Sequence, residues 1–278
     1  EEDRAVRNVV TAARRTGVRR IVYLSGLHPE SGKLSPHLES RKAVGEALVD
    51  SGIETVVLQA GVVIGSGSAS FEMIRHLTDR LPVMTTPKWV HNRIQPIAVR
   101  DVLYYLVAAA TATVPSSRTW DIGGPDVLKY GDMMRGYAEV AGLHKRYLIV
   151  LPFLTPTIAS LWVGTVTPIP PGLARPLVES LECDAVMRNS DIDTVIEPPP
   201  GGLTGYRRAV ASALNKQQPF GGDVITRISA TMMDPAALDK LRALAHETLD
   251  ELTREVCAAG GVAPGEIYEV AVAGNATM

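Results

Sequence analysis

The sequence predicts an α/β protein. An incomplete parallel sheet with a smaller region beside it is followed by a helix–strand segment of a different α/β plan. Three observations predict this. Short apolar strands alternate with helices at the spacing of βαβ units. Residues 55–64 form a nearly continuous apolar run, as in a parallel strand buried on both faces. Near Asn215 the character changes, and beyond it acidic residues outnumber basic ones.

The elements follow in order. Residues 4–16 carry an amphipathic helical stripe that ends at Gly17. Residues 20–25 are a short apolar strand bounded by Gly26. Residues 40–51 predict a second helix with Gly52 as its stop. The strand 55–64 turns through Gly65-Ser66-Gly67-Ser68 into a helix over 71–80. The pattern then loosens into an extended piece at 93–97, a helix at 99–112, a strand at 119–122 and a helix at 130–141. A helix near 175–183 and a short one at 206–214 close this part. Asp234-Pro235 opens a long helix over 236–259, with proline where its missing N–H costs nothing. An apolar strand is expected at 268–273. The domain boundary is placed at 213–216, giving domains 1–213 and 214–278.

Composition narrows the function classes. At 46% apolar and 21% charged residues, the chain can build a packed core. A formal net charge of -2 gives no basic face for nucleic acid. Cys183 and Cys257 lack metal-ligand spacing and read as thiols of a reducing compartment. With no signal peptide, a cytoplasmic setting is expected. The helical stripe starts at Ala5 and Val6, and the sequence closes straight after an apolar run, so both ends are expected to fall inside folded elements. Residues 147–173 carry no charge, but Pro152, Pro156, Pro168, Pro170 and Pro171 argue against a membrane span. They read as buried or interfacial short helices, with peripheral membrane contact as the alternative.

The chemistry-bearing residues gather where strands run out. Ser25 ends a parallel strand, where ligands collect, and its hydroxyl suits a substrate oxygen; capping a turn with Gly26 is the plainer role. His37 stands near a helix start, as a proton shuttle or a solvated residue. Gly65-Ser66-Gly67-Ser68 follows a strand and precedes a helix, but Ser70 stands where a dinucleotide fingerprint needs its third glycine. Its hydroxyls and backbone N–H groups suit an anion or substrate instead. Lys88, His91 and Arg93 cluster with Trp89 in a loop that is either a substrate contact or a solvated turn.

Four blocks in collinear order carry a family resemblance: Tyr23-Leu24-Ser25-Gly26, then Val56-Val57-Leu58-Gln59-Ala60-Gly61-Val62-Val63-Ile64-Gly65, then Arg93-Ile94-Gln95-Pro96-Ile97, and Trp120-Asp121-Ile122-Gly123-Gly124-Pro125. Together they resemble the extended and atypical short-chain dehydrogenases/reductases, in particular the NmrA-like NAD(P)H-binding subgroup, over residues 1–213. The resemblance implies the second half of a Rossmann-type fold and an oxidoreductase- or epimerase-like parent. In catalytic members a serine at the position of Ser25 works with a tyrosine and a lysine one helical turn apart. His37 and Arg41 stand at those positions here. His37 would shuttle a proton, and Arg41 would hold ribose or phosphate without tuning a neighbour as lysine does. Ser25, Gly26, Arg41, Gly61, Val62 and Val63 would face the cofactor, and Gly65, Ser66 and Arg93 the substrate. The uncharged 147–173 region would wall a pocket for a small, lipophilic molecule.

The family's Gly-x-x-Gly-x-x-Gly loop, which cradles pyrophosphate at a helix N-terminus, is absent. NAD(P) therefore belongs to the intact parent, and this truncated chain by itself is expected to bind it poorly and to be inactive. The altered His37/Arg41 pair opens a second reading, a non-catalytic dinucleotide scaffold or redox sensor. The missing strands open a third, an interaction module that self-associates through an exposed sheet edge.

The tail resembles another family. Asn215-Lys216-Gln217-Gln218-Pro219-Phe220-Gly221-Gly222 and the run from Ile267 to Met278 are similar to the ATPase domain of reductive activators of corrinoid proteins, which have an actin/Hsp70-type fold. That family's glycine-rich phosphate loops are missing, so ATP hydrolysis by this segment is not expected. The junction reads either as a genuine fusion or as a joining of two fragments.

Overall fold

The computed structural model describes residues 2–29, 34–65, 68–151, 163–164, 166–167, 171–213, 231–234, 236–260 and 263. Ser66, the strand expected at 268–273 and most of the uncharged stretch lie outside them. The chain divides into two compact units, Glu1–Ala213 and Leu214–Met278. In the second unit the long helix is present as Ala236–Gly260, opened by Asp234, whose carboxylate accepts from the Ala236 N–H. Among the described residues no helix is long and apolar enough to cross a membrane.

The first unit is built on a three-stranded parallel sheet of β1 (Arg20–Gly26), β2 (Glu54–Ala60) and β7 (Arg118–Ile122), with β2 in the middle. Strand side chains alternate, so the two faces read directly from the register. Leu24, Leu58 and Trp120 share one face with Val56, Ala60 and Ile122. They pack on Val102, Tyr105 and Ala109 of α4 (Val99–Thr111) in one apolar core. Tyr23, Val57 and Thr119 lie on the opposite face. There Gly45 of α2 (Pro36–Val49) packs so closely that an added Cβ would touch Val57 and Tyr23 at 3.4 and 3.9 Å. α1 (Glu2–Thr16) packs on α2.

Helix α2 begins four residues before the sequence-predicted onset. Ser35 is its N-cap and accepts from the Leu38 N–H at 3.3 Å, and Pro36 occupies the first turn. His37 and Arg41 therefore sit one turn apart on the same helical face.

The single strand expected over 55–64 is broken. β2 stops at Ala60, and β3 (Val63–Ile64) pairs with β6 (Ile97–Ala98) in a separate ladder. At Gly61, just past the end of β2, a Cβ would run into the Gln95 carbonyl oxygen. The 93–97 segment crosses the carboxyl ends of β2 and β7 over three glycines, Gly61, Gly123 and Gly124. Gln95 fixes it by donating to the Gly124 carbonyl at 2.8 Å and accepting from the Met187 N–H at 3.1 Å.

The peripheral elements follow α3 (Ala69–Arg80). β4 (Val83–Thr86) pairs in parallel with β9 (Tyr147–Val150), and β5 (Arg93–Ile94) pairs antiparallel with β8 (Leu128–Lys129). The loop expected at 88–91 is a short 3-10 helix that buries Trp89 edge-on against Tyr130. α5 (Tyr130–Val140), α6 (Pro171–Ser180) and α7 (Tyr206–Ala213) complete the unit. The buried Tyr206 of α7 donates its hydroxyl hydrogen to the Met133 carbonyl at 2.7 Å.

Candidate functional site

A cavity of about 240 Å³ opens at the carboxyl ends of β1 and β2. It brings together most residues singled out from the sequence: Ser25 and Gly26 from β1, His37 and Arg41 from α2, and residues 61–63 after β2. Gly65 and Arg93 are not among its lining residues. Gly65 is tight against α4, where an added Cβ would lie 2.6 Å from Val99 Cγ1. Arg93 is turned to Asp184, donating its backbone N–H at 2.7 Å and its Nε–H at 3.1 Å to that carboxylate. Its neighbour Ile94 reaches the cavity instead.

Ser25 is 4% exposed, and its Oγ has no hydrogen-bond partner. Leaving a buried hydroxyl unpaired costs about 1–3 kcal/mol. Beside it, the Arg41 Nε–H donates to His37 Nε2 at 3.1 Å. That nitrogen is therefore the acceptor on the imidazole, and Arg41 occupies its lone pair. Among the described residues Arg41 has no carboxylate partner within salt-bridge distance.

Several lining residues carry no sequence signal. Tyr130 arrives from α5, and burial, then Cys183 and Asp184, raises its phenol pKa well above the ordinary value. It stays protonated at neutral pH. Leu177, Ser180 and Leu181 arrive from α6 and its end, just beyond the uncharged stretch expected to form this wall. With Leu27, Leu38 and Ile94 they make much of the lining apolar.

A second feature lies on the same sheet. Ser25, Gln59 and Asp121 stand in register across β1, β2 and β7 and form one buried polar rung on the α2 face. Asp121 is 2% exposed and accepts from Arg188, through the backbone N–H and Nε–H at 2.8 Å and through Nη2. Arg188 Nη2 also donates to Gln59 Oε1 at 2.9 Å, which orients the amide so that its Nε2–H points to His28 Nε2 at 3.2 Å. The other imidazole nitrogen, Nδ1, faces the Pro29 carbonyl at 3.0 Å and so carries the hydrogen. The chain Asp121–Arg188–Gln59–His28 ties the three strand ends together.

Comparison with known proteins finds two separate likenesses. Residues 203–278 match the family model described as the RACo middle region, beginning just before α7. A segment of 67 residues is 42% identical to the corrinoid activation enzyme RamQ of Eubacterium limosum, covering 24% of this chain and 11% of that protein. Among solved structures, the triphenylmethane reductase of Citrobacter sp. superposes with a TM-score of 0.56 at 17% identity, over 75% of this chain and 69% of that one. The NADPH-dependent quinone oxidoreductase of Escherichia coli gives 0.57 at 18% identity, over 74% and 71%. A nucleoside-diphosphate-sugar epimerase of Staphylococcus aureus gives 0.54 at 12% identity, over 74% and 69%. The two reductases have also been solved with NADP(H) or NADPH bound. At these identities the likeness is one of fold: the first unit has the fold of NAD(P)-binding reductases and epimerases, and the carboxy-terminal segment is similar to proteins of corrinoid activation.

Proposed function

We propose that the first unit forms the substrate side of an NAD(P)-dependent oxidoreductase- or epimerase-type site for a small, lipophilic molecule in a cytoplasmic setting. The observation that carries this is the unpaired, buried Ser25 hydroxyl in the cavity that also holds His37 and Arg41. A carbonyl or hydroxyl oxygen of the substrate would accept from Ser25 Oγ–H. Arg41, turning from His37 to a ribose hydroxyl or phosphate, would free Nε2 to receive or return a proton. Ser25, Gly26, Arg41 and residues 61–63 fit the nicotinamide end of a dinucleotide, which supplies hydride chemistry when bound. The glycine loop for its pyrophosphate is absent from the sequence, so this chain by itself should hold NAD(P) weakly.

The test is NAD(P)H oxidation by the intact parent across a panel of ketones and quinones, with cofactor binding to this chain followed by fluorescence. In the intact parent, Ser25→Ala should lower turnover about 100- to 1,000-fold, the scale of losing one preorganised donor to a developing oxyanion. Cofactor affinity should be no tighter than about 1 mM, roughly 4 kcal/mol of binding. Unchanged turnover in both Ser25→Ala and His37→Ala would remove these roles. The Arg41–His37 hydrogen bond favours a second reading, a non-catalytic dinucleotide scaffold or sensor, because it blocks the nitrogen a base would use. Saturable cofactor binding without turnover of any panel member would select it.

A third proposal concerns β1. It is an edge of the sheet, with β2 on one side and no strand on the other among the described residues. Open edges recruit further strands, so the chain is expected to self-associate as its concentration rises. Size-exclusion chromatography with light scattering should show this; a monomer at every concentration would dismiss it.

A further inference from the structure

A second cavity of about 190 Å³ lies on the α2 face of the sheet, against the polar rung. It shares Ser25 and Arg41 with the first cavity and adds Lys42, Glu46, His28 and Arg188. We infer that it is a binding site for a phosphate dianion, free or as a phosphomonoester, held by Arg41, Lys42 and the Ser25 hydroxyl.

The charges around the cavity decide its sign. The Arg188 guanidinium is neutralised by Asp121. His28 Nε2 already accepts from Gln59 and offers no donor there. Lys42 meets Glu46 only across 3.8 Å, at side-chain exposures of 46% and 63%, a loose pair that an anion can outcompete. Arg41 has no carboxylate partner among the described residues. Among the described residues, one positive charge at the cavity is therefore left without a carboxylate partner. A cation has no comparable claim, because the carboxylate of the adjoining rung, Asp121, is engaged on both oxygens by Arg188.

The second observation is independent of charge. Ser25 lines this cavity, is 96% buried by its 4% exposure, and has an Oγ without a partner. The cavity is lined by this strand-end hydroxyl and by two cationic side chains from successive α2 positions. Donors from three separate residues can each take a different oxygen of a phosphate, which offers more acceptor oxygens than a carboxylate. The inference requires no hydride chemistry and goes beyond the role proposed for the first cavity.

Calorimetric titration of the whole chain with inorganic phosphate, with glycerol phosphate and acetate as parallel arms, tests it. Saturable phosphate binding is expected, weakened by added sodium chloride. Arg41→Gln should weaken it about tenfold and Lys42→Gln about threefold, with circular dichroism confirming that each variant is folded. Tighter binding of glycerol phosphate would identify a phosphomonoester, and tighter inorganic phosphate the free ion. Acetate binding as well as either would overturn the assignment, as would no saturable phosphate binding or binding unaffected by both substitutions. NADPH titrated into the same preparations separates this site from the dinucleotide reading, since Lys42→Gln should weaken phosphate and leave any NADPH binding unchanged.

Discussion

Asp121→Ala is expected to destabilise the first unit by about 3 kcal/mol. Its carboxylate is 2% exposed and takes three donors from Arg188, one of them the backbone N–H. Removing one member of a buried ion pair costs about 3–5 kcal/mol, because the partner charge is left without compensation. The lower end applies here, since the Arg188 side chain keeps 26% exposure and can turn partly to water. The loss also propagates. Arg188 orients the Gln59 amide, and Gln59 in turn holds His28, so the ends of β1, β2 and β7 lose their common tie. For a domain of this size 3 kcal/mol lowers the melting temperature by roughly 10 °C. Asp121→Asn keeps one acceptor and should lose less. A thermal melt of Asp121→Ala within a degree or two of the parent protein would show that the rung is dispensable.

This network shows where the sequence stops being informative. The fold class was legible because it rests on local periodicity. The helix 2–16 ended where Gly17 predicts, and β2 carries the apolar run of a doubly buried strand. The polar rung was not legible, because Ser25, Gln59 and Asp121 meet only through strand register, and register is a non-local property. The β4–β9 pair was missed for the same reason: each strand is short and half exposed, and its partner is distant in sequence. α6 starts earlier than expected and tolerates Pro176 within it, against the usual preference of a helix interior. The site divides along the same line. Ser25, His37 and Arg41 were visible because a strand end and a cap with a following turn are local signals. Tyr130, Leu177, Ser180 and Leu181 line the same cavity from elements brought in by packing. Arg93 has a partner that no local signal gives. A basic residue in a loop invites a ligand, and here it is held by Asp184.

Gly61→Ala is expected to cost about 1–3 kcal/mol, the range for forcing extra volume into a packed site, and to close part of the first cavity. No positive φ requires glycine at this position; the demand is steric. A methyl group would meet the Gln95 carbonyl, which is backbone and cannot rotate away. The 93–97 segment would have to lift, straining the Gln95 bonds to the Gly124 carbonyl and the Met187 N–H and carrying Ile94 out of the cavity wall. Gly26→Ala is the matched control. Its new Cβ would meet only Leu38 Cδ2, at 3.3 Å, the end of a side chain that can give. The pair distinguishes two reasons for a glycine at this site. If residue 61 is glycine solely to let a cofactor approach, Gly61→Ala should melt like the parent protein and lose affinity alone. If the crossing of the 93–97 segment is the reason, Gly61→Ala should melt lower in urea and heat while Gly26→Ala stays within about 0.5 kcal/mol. Equal stability of the two variants would refute the steric account.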